Sequence, residues 1–184
     1  MKFFTAPLSL LTLLAPLLVS NIGAGAVPAP ALASTDANLP ADILNLLNIG
    51  LVSQINVFIS EDSFVTNIVT ANFTVHNPLP VEITLDSVSA AAGIDGSVFS
   101  TFATSFKKFF VPPFSSKNSG LIQNVVLTQG IDAALGIVPL GVLDIIDGNV
   151  TIRGATIFGF GGIKVPLIGL VQKNISTSYE FVLS

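Results

Sequence analysis

The chain has 184 residues, of which 51% are hydrophobic and only 10% are charged, and its net charge is −4. Soluble domains carry about 25% charged residues, so this chain has ample apolar surface for a core and is not intrinsically disordered. The negative net charge argues against nucleic acid as a partner. The sequence has no cysteine, which excludes disulfides, thiol nucleophiles and thiolate metal sites.

The N-terminus predicts a signal peptide over residues 1–33. Lys2 precedes an apolar run at residues 8–19, and small residues provide cleavage sites after Ala26 or Ala33. A membrane anchor is the alternative, but the run is shorter than the ~20 residues that span a bilayer, and Pro16 interrupts it. We therefore expect a secreted, extracellular protein that is either released or held at the cell surface.

Residues 34–50 predict a linker followed by one short helix. Residues 20–38, which span the end of the signal peptide and the linker, are rich in alanine, glycine and proline, and the segment that follows, LPADILNLLNIGL, has apolar residues at helical spacing. Gly50 is suited to ending that helix. The remaining residues, 51–184, predict the folded domain.

From residue 51 onwards the apolar residues alternate with polar ones, which is the period of a strand. Asn77 and Pro78 predict a turn between two strands, and Asp147, Gly148 and Asn149 predict a hairpin turn further on. Residues 129–139 break the alternation, as a short helix or a packed loop would. The pattern predicts an all-β antiparallel sandwich of about seven to eight strands. The predicted strands cover residues 51–59, 69–76, 81–86, 97–110, 121–128, 142–147, 150–158 and 174–183.

Three sequons predict N-glycosylation at Asn72, Asn149 and Asn174. In each, the middle residue is apolar and is expected to face inward, so that the asparagine and the hydroxyl face solvent. Unmodified surface asparagine is the alternative at any single site.

No catalytic or metal-binding set stands out in the sequence, and none of its motifs implies a cofactor. His76 is the single histidine, so a Ser-His-Asp triad would need it with Asp86 or Asp95 as the acid. A strand end on the solvent face is the simpler interpretation. Asp144 and Asp147 suggest a carboxylate pair, or a calcium site together with Asn149, but they are better explained by a strand and its turn. The segment FGFGGIKVP matches no phosphate-binding motif and indicates a glycine-rich hairpin turn.

The segment SFKKFFVPPF, residues 105–114, is the best candidate for a surface contact. It places two lysines among four phenylalanines, a combination that suits an anionic membrane surface or an apolar partner. The alternative is an ordinary strand whose lysines discourage edge-to-edge aggregation. The candidate contact residues are Phe106, Lys107, Lys108, Phe109, Phe110 and Phe114.

The stretch NFTVHNPLPVEITLDSV resembles the LEA-2 family of late-embryogenesis-abundant and water-stress (WHy) domains, including its fungal secreted members. The likeness rests on a strand that ends in Asn77-Pro78 and on the segments FFVPPFSSKNSGLIQNVVLTQGIDAAL and GNVTIRGATIFGFGG, and it covers residues 60–184. The resemblance implies an immunoglobulin- or fibronectin-III-like sandwich without catalytic residues. It also implies a role in stress protection or in association with membranes and other macromolecules.

The leading hypothesis is therefore a secreted, non-enzymatic protein with a structural, stress-protective or surface-interaction role. The second hypothesis is a module that binds a lipid or another apolar ligand, and the third is a secreted hydrolase. The expected partners are a membrane surface, the cell wall or an apolar ligand.

Overall fold

The computed structural model describes residues 50–183 of the chain. The predicted signal peptide, the linker and the short helix before Gly50 lie outside the described residues.

The described residues form nine strands and three short helical segments. Helix α1 is Ser63–Thr66, helix α2 is Gly130–Ile137, and a 3₁₀ helix follows at Val138–Leu140. The strands are β1 Val52–Ser60, β2 Ile68–His76, β3 Ile83–Ile94, β4 Ser97–Val111, β5 Ser116–Asn118, β6 Ile122–Leu127, β7 Val142–Gly154, β8 Ile163–Leu167 and β9 Gln172–Val182.

Seven of the strands close into a barrel. Their order is β1-β9-β7-β3-β4-β6-β2, and β2 pairs with β1 to complete the ring. A ring with an odd number of strands cannot be antiparallel throughout, and the single parallel pair here is β1 with β9. Strands β5 and β8 lie outside the ring, paired with β2 and β7.

The predicted all-β class is confirmed, whereas the immunoglobulin- or fibronectin-III-like sandwich is wrong. A sandwich has two separate sheets with free edge strands, but β1 here has hydrogen-bonded partners on both sides. An inward-facing residue alternates with an outward-facing one along a strand in either architecture. The period of two therefore could not distinguish a barrel from a sandwich.

Most predicted strands are confirmed, but the predicted hairpin turn at 147–149 is wrong. Strand β7 runs straight through Asp147, Gly148 and Asn149, because each of these residues is paired with a residue of β3. Gly148 does not form a turn. It allows the Leu170 backbone to pack closely against β7, since a Cβ atom at residue 148 would lie 3.2 Å from the Leu170 carbonyl oxygen. The helix alternative for residues 129–139 is confirmed by α2.

The core lies inside the ring and is apolar. Val57, Phe73, Leu85, Phe109 and Val125 are among the buried residues that face one another there. Four phenylalanines contact one another in this core through tilted or edge-to-face rings, with centroids 5.1–6.2 Å apart: Phe102, Phe73, Phe106 and Phe109. Burial of these side chains is the main source of stability, since the chain has no disulfide.

Candidate functional site

Three loops meet at one end of the barrel, which we call the basic end. The loops are residues 77–82, 112–115 and 155–162. They are joined by backbone hydrogen bonds, from Phe114 N to Leu79 O and from Thr156 N to Glu82 O. The structure describes six lysine and arginine residues, and five of them lie in strands that enter or leave these loops: Lys107, Lys108, Lys117, Arg153 and Lys164.

The loop between β7 and β8, residues 155–162, is the most exposed apolar feature of the basic end. Ile157 and Phe160 exchange two backbone hydrogen bonds, so that Phe158 and Gly159 form a two-residue turn. Both have positive φ, 50° for Phe158 and 78° for Gly159, which is the geometry of a type I′ turn. The side chains of Ile157, Phe158 and Phe160 are 60–72% exposed.

Glu82 holds this loop in place. Its Oε1 atom accepts a hydrogen bond of 2.7 Å from the Thr156 hydroxyl and one of 2.9 Å from the Gly159 backbone N–H. Arg153 adds a third connection, since it donates to the Gly161 carbonyl while it pairs with Asp86 at 2.9 Å. The exposed aromatic residues are therefore carried by a loop with fixed anchors.

Two lysines lie over aromatic rings in or next to the loop. The Lys108 ammonium lies 4.2 Å from the centre of the Phe160 ring. The Lys117 ammonium lies 4.1 Å from the centre of the Phe110 ring, and the edge of Phe110 meets Phe158 at 6.5 Å. We call Ile157, Phe158, Phe160, Lys108 and Lys117 the loop patch. Cation–π contacts of this kind keep the ammonium groups next to the apolar surface.

The structure separates the contact residues predicted at 105–114. Phe106 and Phe109 face the core, and Phe109 is buried. Lys107, Lys108 and Phe114 are exposed, while Phe110 is half-buried. The loop patch keeps Lys108 from the predicted set and adds Lys117, Ile157, Phe158 and Phe160. The sequence predicts a strand over 150–158 and only a hairpin turn over 158–166. The sequence did contain a sign that this turn is a contact surface, because turns are usually polar and this one carries aromatic residues.

The Asn77-Pro78 corner is a structural feature. Asn77 is fully buried, and its side-chain amide donates to the carbonyl oxygens of Val81, Val111 and Pro112. Its Oδ1 atom accepts a hydrogen bond of 3.0 Å from Leu79 N. Asn77 thus ties two loops of the basic end together.

The three sequons lie on strands. Asn149 and Asn174 are exposed, and the middle residue Ile175 of the last sequon is buried. Asn72 is half-buried, and its Oδ1 atom accepts hydrogen bonds from the amides of Asn56 and Asn118.

The structure does not bring His76 and its predicted acids together. His76 Nδ1 lies 3.0 Å from the Ser116 hydroxyl, whereas Asp86 pairs with Arg153 and Asp95 lies in the turn between β3 and β4. Asp144 accepts a hydrogen bond from the Asn174 backbone at 2.8 Å. Within residues 50–183 there is no group of three His, Asp or Glu side chains placed to hold a metal ion.

No family model matches the chain, and a search of curated proteins finds no match. The resemblance to the LEA-2 family therefore stays a prediction. In the part of the chain that the structure describes, no helix is long and apolar enough to cross a membrane.

Proposed function

We propose that this protein acts by peripheral contact with an anionic lipid surface, and that the loop patch makes the contact. The observation that carries the proposal is a rigid loop that exposes aromatic and aliphatic side chains beside lysines. Apolar side chains that enter the interfacial layer and cations that meet anionic headgroups are the two components of interfacial binding.

The geometry of Phe158 argues that its exposure serves something other than folding. Its left-handed backbone costs roughly 1–2 kcal/mol for a residue with a side chain, and Asn, Asp or Gly are favoured in such turns. A phenylalanine that is 72% exposed recovers little of that cost by burial. A strained, exposed residue of this kind is typical of a functional surface.

Charge supports the choice of an anionic surface. The described chain has nine acidic residues, and only Glu82 and Asp86 lie next to the loops of the basic end. Glu61, Asp62, Asp95, Asp132 and Glu180 lie at the opposite end, in or beside the loops after β1, β3 and β6 and near the end of β9. The protein is acidic as a whole, yet it would approach a negative surface with its basic end first.

The proposal is tested by cosedimentation with phosphatidylcholine vesicles that do or do not contain phosphatidylserine. We expect binding only when phosphatidylserine is present, and we expect binding to weaken as salt rises. Phe158→Asn suits the turn and removes the aromatic ring, so it should lower the affinity about tenfold or more without loss of stability. Lys108→Glu should weaken binding as well.

Two matched controls lie away from the patch. Phe64→Asn makes the same chemical change at a 49% exposed phenylalanine of the opposite end, and Lys173→Glu reverses a cation outside the loop patch. Both variants should bind like the wild type. If Phe158→Asn binds like the wild type, or if Phe64→Asn loses as much affinity, the proposed contact is wrong.

We also propose that the chain is secreted and N-glycosylated, as its N-terminus and sequons suggest. The exposure of Asn149 and Asn174 would give a glycosylation enzyme access to them. Mass spectrometry of the secreted protein, before and after removal of N-glycans, would locate the mature N-terminus and count the occupied sites. A mature chain that retains residues 1–26 would reject cleavage at either predicted site.

A further inference from the structure

Two adjoining apolar cavities lie inside the barrel, and helix α2 forms part of the lining of the smaller one. The larger has a volume of about 100 Å³, and the smaller has a volume of about 60 Å³. Ala71 and Ala92, whose side chains are small, belong to both linings, together with Ile55, Phe102 and Val125. For scale, an apolar cavity of about 150 Å³ in another protein stays dry and binds benzene.

One polar group in this region has no partner. Tyr179 lines the smaller cavity, and its hydroxyl is buried without a hydrogen bond to any described residue. The Tyr179 phenol is neutral at physiological pH and has a proton to donate, and burial raises its pKa further, from 10.0 to about 12. A buried hydroxyl without a partner is costly, and it marks a place where a missing partner would bind favourably.

We propose that the barrel interior binds a small apolar molecule that carries one hydrogen-bond acceptor, such as a ketone or an ester, and that Tyr179 donates to this acceptor. The inference concerns the interior and does not depend on the proposed membrane contact. It assigns the two cavities to one ligand, with its apolar body along the alanines and its oxygen at Tyr179.

Water alone explains the smaller cavity poorly. An internal water normally makes about three hydrogen bonds. Among the side chains that line this cavity, only Ser100 and Tyr179 carry a hydroxyl, and the others are apolar. In the larger cavity, the Gln172 side chain is already bonded to the backbone of Val52. An apolar ligand with a single acceptor satisfies Tyr179 and fills the remaining volume.

The seam between strands β4 and β6 borders the smaller cavity. The strands pair at two positions, Ser100 with Leu127 and Thr101 with Val126, and both Ser100 and Leu127 line the cavity. Thr128 and Gln129, just after β6, donate further hydrogen bonds to the backbone of Val98 and Phe99. A ligand that enters here would need local opening of these bonds, without unfolding of the barrel.

The test uses two probes of the same shape on the full chain, cyclohexanone and methylenecyclohexane, and only the first has an acceptor oxygen. Affinity is obtained from the rise in melting temperature with probe concentration. We expect both probes to bind the wild type. Tyr179→Phe should weaken cyclohexanone about tenfold and leave methylenecyclohexane unchanged, because it removes the donor and keeps the ring.

Two alanine variants complete the design. Ala92→Leu fills the junction of the cavities and should abolish binding of both probes, whereas Ala103→Leu, at an exposed position of β4, should leave binding unchanged. Tyr179→Phe keeps the test decisive if Ala92→Leu does not fold. The inference is overturned if neither probe stabilises the wild type, as a site for water only would predict, or if Tyr179→Phe leaves the cyclohexanone affinity unchanged.

Discussion

Asn77 and Tyr179 are both polar side chains with atoms deep inside the protein, and their surroundings differ completely. The Asn77 amide has a protein partner for each of its polar atoms, whereas the Tyr179 hydroxyl has none among the described residues. Satisfied polar groups are compatible with a stable core, and unsatisfied ones reduce stability. Substitution of Asn77 should therefore break several hydrogen bonds, whereas removal of the Tyr179 hydroxyl should break none among the described residues.

Asn77→Asp should lower the free energy of unfolding by about 3 kcal/mol at neutral pH. The substitution preserves shape, but a carboxylate would face three carbonyl oxygens with no proton to donate. Urea unfolding measures the loss, and the loss should shrink in acid, where the protonated acid can donate one bond. Asn149→Asp, at an exposed residue, is the control and should change little.

The titration of Tyr179 is directly measurable, because it is the only tyrosine and the chain has no tryptophan. Tyrosinate absorbance should give a pKa of about 12 in the folded protein, and the ordinary value of 10 in denaturant. Between these values the unfolded chain loses its proton while the folded protein keeps it, so stability should fall as pH rises from 10 towards 12. In Tyr179→Phe, the part of this loss of stability that comes from the tyrosine titration should be absent. A folded-state pKa near 10 would place the hydroxyl in solvent.

At the scale of elements, glycines show where strands approach each other closely. Gly93 lies in β3 beside an irregularity in its pairing with β4, and a Cβ atom there would lie 1.9 Å from the Ser97 carbonyl oxygen. Gly136 lies in α2 and is exposed, and a Cβ atom there would enter open space. The first glycine is required by the fold, and the second is not.

These positions predict opposite results for the same substitution. Gly93→Ala should destabilise the protein by about 3 kcal/mol, since the β3–β4 backbone must move apart. Gly136→Ala should stabilise it by about 0.5–1 kcal/mol, since alanine restricts the unfolded chain and favours the helix. Thermal unfolding of the two variants beside the wild type measures both effects. A similar change in both would mean that the Ser97 carbonyl does not approach Gly93 closely.

At the scale of the described barrel, its two ends carry opposite charge. Lysines and Arg153 gather near the loops at 77–82, 112–115 and 155–162, and acidic residues gather near the opposite loops. This separation gives the barrel a preferred orientation at a charged surface, which a uniform distribution with the same net charge would not provide. The interior provides a second candidate binding site, which is separate from the charged ends because its cavities lie within the ring of seven strands.

The all-β class, most strand positions and the corner at Asn77-Pro78 could be predicted from the sequence alone. These follow from local rules: alternation marks a strand that is buried on one face, and asparagine with proline favours a turn. The short helix at 130–137 was one of two predicted alternatives, the other being a packed loop, because the apolar alternation stops there.

Three features are seen only in the folded protein: the closure of the barrel, the continuity of β7 through 147–149, and the contact of Phe110 with Phe158. Each depends on pairing between segments that are distant in the chain, such as β1 with β9, and an alternating pattern is the same whichever partner a strand takes. The cavities and the unpartnered Tyr179 hydroxyl likewise arise from how seven strands fill one interior. The sequence of one strand does not show how its side chains pack against the other strands, so the cavities and the unpartnered hydroxyl could not be predicted from sequence.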